Sequence, residues 1–173
     1  MQKIAIIGPE STGKTELARN LAKHFKSFWE PEYAREYVEK LTLPYTYEDV
    51  CNIASYQINQ EKFYETHPIN ADYVFFDTDL IITKVWFQYK FKKVPDFLIQ
   101  RLNQRFFDLY LLCYPDLPWL PDLVREHGDD REFFFDWYRK EIEQLGKPYA
   151  VVKGFGEKRI RCAIDALLSF RNE

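Results

Sequence analysis

Residues 4–21 read IAIIGPESTGKTELARNL, and their pattern indicates the fold class. It begins with a run of apolar, mostly β-branched residues, which is typical of a strand covered on both faces of a parallel sheet. The run ends at a glycine-bounded loop. An alanine- and leucine-rich stretch follows the loop and predicts a helix over residues 13–25. A buried strand, a loop and a helix in this order indicate an α/β protein.

The loop at residues 8–15 fits the phosphate-binding pattern G-x-x-x-x-G-K-[ST]. Its glycines let backbone N–H groups turn inward, and the helix that follows directs the positive end of its dipole at an anion. We therefore predict that the loop binds ATP. The predicted contacts are Gly8, Glu10, Ser11, Thr12, Gly13, Lys14 and Thr15. Lys14 supplies a charge for the β- and γ-phosphates and Thr15 a hydroxyl for Mg²⁺, whereas the acidic Glu10 is expected to face solvent or the water shell of the metal.

The composition is that of a single globular domain. The chain has 173 residues, of which 46% are hydrophobic, so we predict one domain over residues 1–173. Its 24 basic and 27 acidic residues give a net charge of −3, which argues against a nucleic-acid surface. Because neither a signal peptide nor a membrane-spanning run is present, a soluble, cytoplasmic protein is expected. The three cysteines are widely spaced, which argues against a disulfide framework and a structural zinc.

Further strands are predicted within four apolar stretches: residues 27–30, 71–79, 107–116 and 147–156. Helical stretches separate them, and this alternation predicts right-handed β-α-β units. The predicted fold is a P-loop NTPase or kinase fold, with a mostly parallel five-stranded sheet flanked by helices and an arginine-bearing lid at about residues 121–132.

Two classes of P-loop protein are disfavoured. The guanine-reading N-K-x-D and the D-x-x-G switch of GTPases are both missing. Motor and AAA-type ATPases usually need a longer chain and a strand that ends in Asp-Glu. This chain instead has VFFDTD, which places Asp77 at the carboxyl end of a strand, where ligands bind in open α/β sheets. We predict that Asp77 and Thr15 hold Mg²⁺, and that Asp79 caps the next helix and contacts substrate.

A second constellation is WEPEYAREY, residues 29–37, which combines acids, an arginine and aromatic rings. A phosphoryl acceptor needs a carboxylate such as Glu32 at its hydroxyl, and Arg35 would hold charge near the transferring phosphate. The alternative is a solvated helix face carrying i,i+4 ion pairs. The general base remains open among Glu32, Asp77 and Asp79, since loose phosphoryl-transfer transition states depend on positioning more than on deprotonation.

Two loops complete the predicted site. Arg125 and Arg131 bracket a charged loop that could close over ATP, exclude water and neutralise charge on the γ-phosphoryl group. The stretch KGFGE, residues 153–157, could contact adenine through the backbone at Gly154 and Phe155. A plain turn explains these glycines equally well.

The chain resembles the nicotinamide riboside kinase domain of the NadR family. The resemblance rests on GPESTGKTELARNLA, PEYAREYV, FFDTDLIITKVW, DLYLLCYPDLPWLPDLVRE and DDREFF, in the family's order and rough spacing. It implies Mg²⁺- and ATP-dependent phosphorylation of the ribose 5′-hydroxyl of nicotinamide riboside, which yields nicotinamide mononucleotide in NAD biosynthesis. It also implies a nucleoside-kinase-like sheet, an arginine-bearing lid and a small-molecule partner.

The chain departs from that family in two respects. NadR proteins carry an adenylyltransferase domain, and often a DNA-binding domain, before the kinase, whereas Met1 here opens directly on the first strand; we therefore expect only the kinase step. Where the family has a Trp before its E-Y-G-R segment, this chain has Pro31. Because a pyridinium cation is attracted to aromatic faces, Trp29, Tyr56 and Trp86 are candidates for stacking on the acceptor, and each could equally be a core residue.

Other functions remain open at this level. The acceptor could be a deoxynucleoside, thiamine or another primary alcohol. A different class of function is a nucleotide-dependent switch or adaptor that phosphorylates no small acceptor. A nucleic-acid-processing ATPase is opposed by the acidic balance of the chain. The sequence does not predict an oligomeric state.

Overall fold

The computed structural model describes residues 1–67, 69–120 and 130–171. In these ranges the strands form one sheet and all pair in parallel, in the order β2-β3-β1-β4-β5. The strands are β1 (Gln2–Ile7), β2 (Phe28–Glu30), β3 (Tyr73–Asp77), β4 (Leu109–Cys113) and β5 (Tyr149–Val152). The predicted α/β fold with a five-stranded parallel sheet is confirmed.

Helices alternate with the strands, as predicted. They are α1 (Lys14–Phe25), α2 (Tyr33–Glu39), α3 (Tyr47–Thr66), α4 (Leu80–Trp86), α5 (Asp96–Leu102), α6 (Arg131–Gln144) and α7 (Glu157–Arg171). A π-helical turn, Phe87–Phe91, continues α4. A capping box begins α3: the Thr46 hydroxyl accepts a hydrogen bond from the Asp49 N–H, and the Asp49 carboxylate accepts one from the Thr46 N–H.

The segment after α5 leaves the helical conformation before two consecutive phenylalanines. The helix ends at Leu102, and Arg105 adopts a left-handed backbone conformation with φ of 56°. This turn lets the consecutive rings of Phe106 and Phe107 both pack edge-on against Phe76 in the core. Two adjacent residues of a continuous helix point in different directions, so the helix must stop before both rings can reach one target.

The sheet separates two apolar cores. Ala5 and Ile7 of β1 face one side, where they pack with residues of α3, α4, α5 and α6. Ile4 and Ile6 face the other side, which is covered by α1 and α7. Consecutive residues of a strand point to opposite faces, so this fully apolar strand is covered twice.

The lid predicted at about residues 121–132 falls mostly outside the described residues, and Arg125 lies outside them as well. Within the described ranges, no helix combines the length and the apolar character that crossing a membrane requires.

Candidate active site

The phosphate-binding loop joins β1 to α1 and passes very close to the end of β4. A Cβ added to Gly8 would lie 2.7 Å from the Cys113 carbonyl oxygen, so only glycine fits there. Gly13 precedes α1 in the left-handed conformation, with φ of 71°. Thr12 is fully buried, and its hydroxyl donates a hydrogen bond of 2.8 Å to the Pro9 carbonyl. The loop is therefore fixed from its interior, and its outer face lines a cavity.

The two residues that begin α1 carry the polar groups expected for phosphate and metal. The Lys14 ammonium donates a hydrogen bond of 3.0 Å to the Pro9 carbonyl, which holds it against the loop. The Thr15 hydroxyl donates a hydrogen bond of 2.5 Å to Asp77 Oδ2. Asp77 ends β3 beside β1, so parallel pairing brings its carboxylate to the start of α1, as predicted.

Asp77 is buried, and its electrostatic surroundings are unusual. The pKa of its carboxyl is raised to about 6, first by burial and then by the charge of Glu32, against the opposing effects of Lys14, Thr15 and Arg35. Its Oδ1 atom has no hydrogen-bond partner among the described residues. A buried carboxylate oxygen without a partner, next to a threonine hydroxyl, is a donor set that suits Mg²⁺.

A cavity of about 360 Å³ lies over the phosphate-binding loop. One part of its wall is the loop with the start of α1, residues 8–16. Glu32 and Arg35, from the start of α2, also line it, and their side chains lie 3.6 Å apart as an ion pair. The rest of the wall is largely apolar and aromatic: Val38, Tyr45, Ile82, Val85, Trp86, Tyr89, Phe134 and Tyr138. One cavity therefore joins an anion-binding loop to a ring-lined chamber.

Comparison with known proteins places this geometry in a family. A family model described as an AAA domain matches residues 3–159. The chain belongs to this family. AAA-type proteins were disfavoured from the sequence because the chain is short and lacks a strand ending in Asp-Glu, and that argument was wrong as a statement about the family. In this chain β3 ends at Asp77, and Thr78 and Asp79 follow it.

Among individual proteins, this AAA domain is similar to NadR. The trifunctional NAD biosynthesis/regulator protein NadR of Salmonella typhimurium (strain LT2) is 28% identical over 174 residues, which are 94% of this chain and 41% of that protein. A crystal structure of NadR in complex with NR is 25% identical with a TM-score of 0.77, over 99% of this chain and 52% of that one. NadR in complex with NAD and AMP-PNP is 26% identical with a TM-score of 0.71, over 98% and 49%. The chain thus spans about half the length of these relatives or less.

The aromatic residues predicted to stack on the acceptor do not share one place. Trp86 lines the cavity. Trp29 packs on the opposite face of the sheet, where the Arg19 guanidinium lies 5.1 Å from its ring. Tyr56 is 42% exposed and stacks on Tyr33 at 3.6 Å, away from the cavity wall. Of these three residues, the structure therefore brings Trp86 alone to the cavity of the AAA domain. Trp29 of β2 points to the far face of the sheet, and Tyr56 of α3 points outward.

Asp79 caps α4, as predicted, but it does not line the cavity. Its Oδ1 accepts hydrogen bonds from the Ile81 and Ile82 N–H groups, at 3.0 and 3.4 Å. Burial and the charge of Glu61 raise the pKa of the Asp79 carboxyl to about 8. Capping turns this carboxylate toward a second, small cavity that Glu61 also lines. The structure therefore does not bring Asp79, predicted to contact substrate, to the cavity over the phosphate-binding loop.

Glu10 and Arg131 both contact the segment that follows β4. Glu10 accepts a hydrogen bond of 3.3 Å from the Trp119 indole N–H, so it faces this segment as well as the cavity. Arg131, predicted to reach the γ-phosphoryl group, donates a hydrogen bond of 2.8 Å to the Leu117 carbonyl and does not line the cavity. The first interaction connects the phosphate-binding loop to residues 117–119, which precede the predicted lid, and the second connects α6 to the same residues.

The turn after β5 is held from inside the protein. The Gly154 N–H, predicted to contact adenine, donates a hydrogen bond of 2.7 Å to Asp116 Oδ2, and the Gly154 carbonyl accepts one of 3.0 Å from Arg159. Phe155 beside it is 59% exposed, and neither residue lines the cavity. The Gly154 N–H is thus already used, which removes that backbone donor from adenine recognition.

Arg159 and Asp116, which hold the turn after β5, are not among the site residues predicted from the sequence. In the sequence, Arg159 belongs to the charged stretch EKRIR, which reads as an exposed helix start. The signal that could have found it is its spacing: Arg159 precedes the buried Ala163 and Leu167 by four and eight residues, which places it on the buried stripe of α7.

Proposed function

We propose that the chain is an ATP-dependent kinase that phosphorylates the ribose 5′-hydroxyl of nicotinamide riboside. The observation that carries this proposal is the single cavity that the phosphate-binding loop shares with the ring-lined chamber. A phosphoryl donor and a small acceptor with a flat ring would meet in it. The similarity to NadR, a relative whose structure was determined with NR, supports the choice of acceptor.

In this proposal the donor phosphates lie along the loop. Lys14 leaves the Pro9 carbonyl, to which it is now hydrogen-bonded, and contacts the β- and γ-phosphates. The N–H groups at the start of α1 add the positive end of a helix dipole. The similarity to a NadR structure that contains AMP-PNP supports ATP as the donor.

Mg²⁺ would be held by Thr15 and Asp77. Both offer oxygen ligands, and Asp77 Oδ1 is buried without a partner among the described residues. In the same ranges no group of three or more His, Cys, Asp and Glu side chains could hold a metal alone, which agrees with a Mg²⁺ site completed by nucleotide phosphates. When bound, the ion would neutralise charge on the transferring phosphoryl group.

Of the three carboxylates proposed to orient the acceptor hydroxyl, Glu32 is favoured. Glu32 lines the cavity. Asp79 is turned inward as a helix cap, and Asp77 already accepts a hydrogen bond from the Thr15 hydroxyl. Arg35 forms an ion pair with Glu32 and lies close enough to lower the pKa of Asp77. The pair therefore places a proton acceptor and a cation beside the expected position of the γ-phosphoryl group.

The test is ADP release from Mg-ATP by the purified protein. Nicotinamide riboside, the common nucleosides, thiamine and buffer without acceptor are compared side by side, and products are identified by mass. We expect stimulation by nicotinamide riboside with formation of nicotinamide mononucleotide. Stimulation by another alcohol alone would replace the acceptor, and the absence of stimulation by any of them would favour the nucleotide-dependent switch.

A matched pair of lysine variants on α1 controls this assay. Lys14→Ala is expected to lower kcat by about 100-fold or more, since it removes a charge that acts in the transition state. Lys23→Ala removes an exposed lysine from the last turn of the same helix and is expected to leave kcat within about twofold. Equal activity of the two variants would contradict the assigned role of Lys14.

A further inference from the structure

Arg159 is a buried cation beneath the phosphate-binding loop. It lies in the first turn of α7, and 4% of its surface is exposed. An arginine stays charged in proteins, so a buried guanidinium must be supplied with acceptors. The positions of those acceptors indicate what Arg159 holds in place.

The guanidinium joins three segments that are remote in sequence. One terminal nitrogen donates to Asp116 Oδ1 at 2.7 Å and to the Gly154 carbonyl at 3.0 Å. The other donates to the Tyr114 carbonyl at 3.0 Å and to the Thr12 carbonyl at 2.8 Å. The segments after β4 and β5 are thus tied to the phosphate-binding loop through one side chain.

The bond to Thr12 fixes a peptide unit of the loop itself. A trans peptide is planar, and its C=O and N–H groups point in opposite directions. With the Thr12 carbonyl held on Arg159, the N–H of Gly13 must point to the other side of the loop. Gly13 lines the cavity and Arg159 does not, so the side away from Arg159 is the one on which nucleotide phosphates are proposed to bind.

We propose that Arg159 is a positioning residue for phosphate binding, which acts by holding the Thr12–Gly13 peptide so that the Gly13 N–H faces the phosphates. This inference rests on the proposed function only for nucleotide binding, and it needs no acceptor. Without the guanidinium, this peptide can rotate, and the loop loses a preorganised donor. A lysine cannot replace it, since one ammonium cannot span four acceptors in three segments.

The test measures the affinities of Arg159→Lys for ADP and for pyrophosphate by calorimetry, well below the melting temperature. Pyrophosphate is the informative probe because it contacts the phosphate-binding loop but has no base. We expect both dissociation constants to rise by about tenfold, with the kcat/KM for ATP falling similarly and the KM for acceptor unchanged. Arg161→Lys, an exposed arginine in the same helix, is the matched control and should change neither affinity.

Several results would overturn the proposal. A lower melting temperature with both affinities unchanged would show that Arg159 serves stability alone. A weaker affinity for ADP with unchanged pyrophosphate binding would place its effect at the turn after β5. If Arg159→Lys does not fold, Arg159→Gln, which retains one NH2 group without the charge, is measured under the same criteria. A wild-type protein that binds neither probe would overturn the proposed function, and this inference with it.

Discussion

Gly8 lies where the phosphate-binding loop crosses the end of β4. Its backbone has φ of 152°, and a Cβ there would lie 2.7 Å from one atom of Cys113 and 2.9 Å from another. The close approach limits the distance between the loop and the end of β4. Glycine, whose side chain is a single hydrogen atom, is therefore needed at this position for the shape of the proposed ATP site.

We expect Gly8→Ala to lower the free energy of unfolding by roughly 3 kcal/mol, because backbone strain and the clash with Cys113 add together. Gly156→Ala is the matched control. Its φ of 51° is also left-handed, but no atom lies within 4 Å of the added Cβ, so a loss of about 1 kcal/mol is expected. Urea unfolding of both variants without nucleotide measures the difference. Equal losses would show that the close approach to Cys113 is not a constraint.

At the scale of elements, α5 is fastened to α3 by a buried cation. Arg101 of α5 is 4% exposed, and its Nε donates to Glu61 at 2.5 Å, while Nη2 donates to Glu65 at 2.9 Å. Burial raises the pKa of the Glu61 carboxyl to about 7, against the opposing effect of Arg101. These ion pairs hold α3 against the apolar core, three residues of which also line the cavity: Val85, Phe134 and Tyr138.

We expect Arg101→Met to lower the free energy of unfolding by about 3 kcal/mol at pH 8, because Glu61 loses its buried partner and must either stay charged or take up a proton. The loss should shrink at pH 5. The stability that comes from the raised pKa of Glu61 is present at low pH and is lost as pH rises through about 7, and a protonated Glu61 no longer needs the cation.

Arg139→Met is the control for this prediction, since the ion pairs of Arg139 with Asp136 and Glu143 lie on the surface. It should cost well under about 1 kcal/mol at either pH. Urea unfolding of both variants at the two pH values gives the comparison. A loss for Arg101→Met that does not change with pH would contradict the role assigned to Glu61.

At the scale of the whole molecule, the sheet divides the aromatic residues into two groups. Trp86 packs beside the core that contains Ala5 and Ile7 of β1, and it lines the cavity. Trp29 packs beside the core that contains Ile4 and Ile6, on the other face. Because the proposed acceptor chamber lies on one face of the sheet, replacing Trp86 should affect acceptor binding, whereas replacing Trp29 should not.

We expect Trp86→Leu to raise the KM for nicotinamide riboside by about tenfold with a smaller change in kcat, because the proposed chamber loses a ring that can attract a pyridinium cation. Trp29→Leu should leave this KM unchanged and lower only the melting temperature. Steady-state kinetics of the two variants provide the measurement. A similar rise of KM in both would mean that the acceptor binds elsewhere.

Much of the fold was predictable because its signals are local. The apolar runs that form the strands, the Thr46 cap and the G-x-x-x-x-G-K-[ST] pattern each lie within a few consecutive residues. The pairing of Thr15 with Asp77 was also predictable, since parallel strands bring their carboxyl ends to one edge of a sheet. Trp29 and Tyr56 were not placed correctly, because a ring-rich sequence does not show which face each ring will occupy.

The phosphate-binding loop, the parallel α/β architecture and the acids at the end of β3 could all be predicted from the sequence. That Trp86 but not Trp29 lines the cavity, that Asp79 turns inward and that Arg159 holds the loop from beneath became apparent only in the folded molecule. These features depend on contacts between residues that are far apart along the chain. Arg159 and the Thr12 carbonyl are 147 residues apart in sequence, and a contact of that kind exists only after the strands have paired and α7 has packed on the sheet.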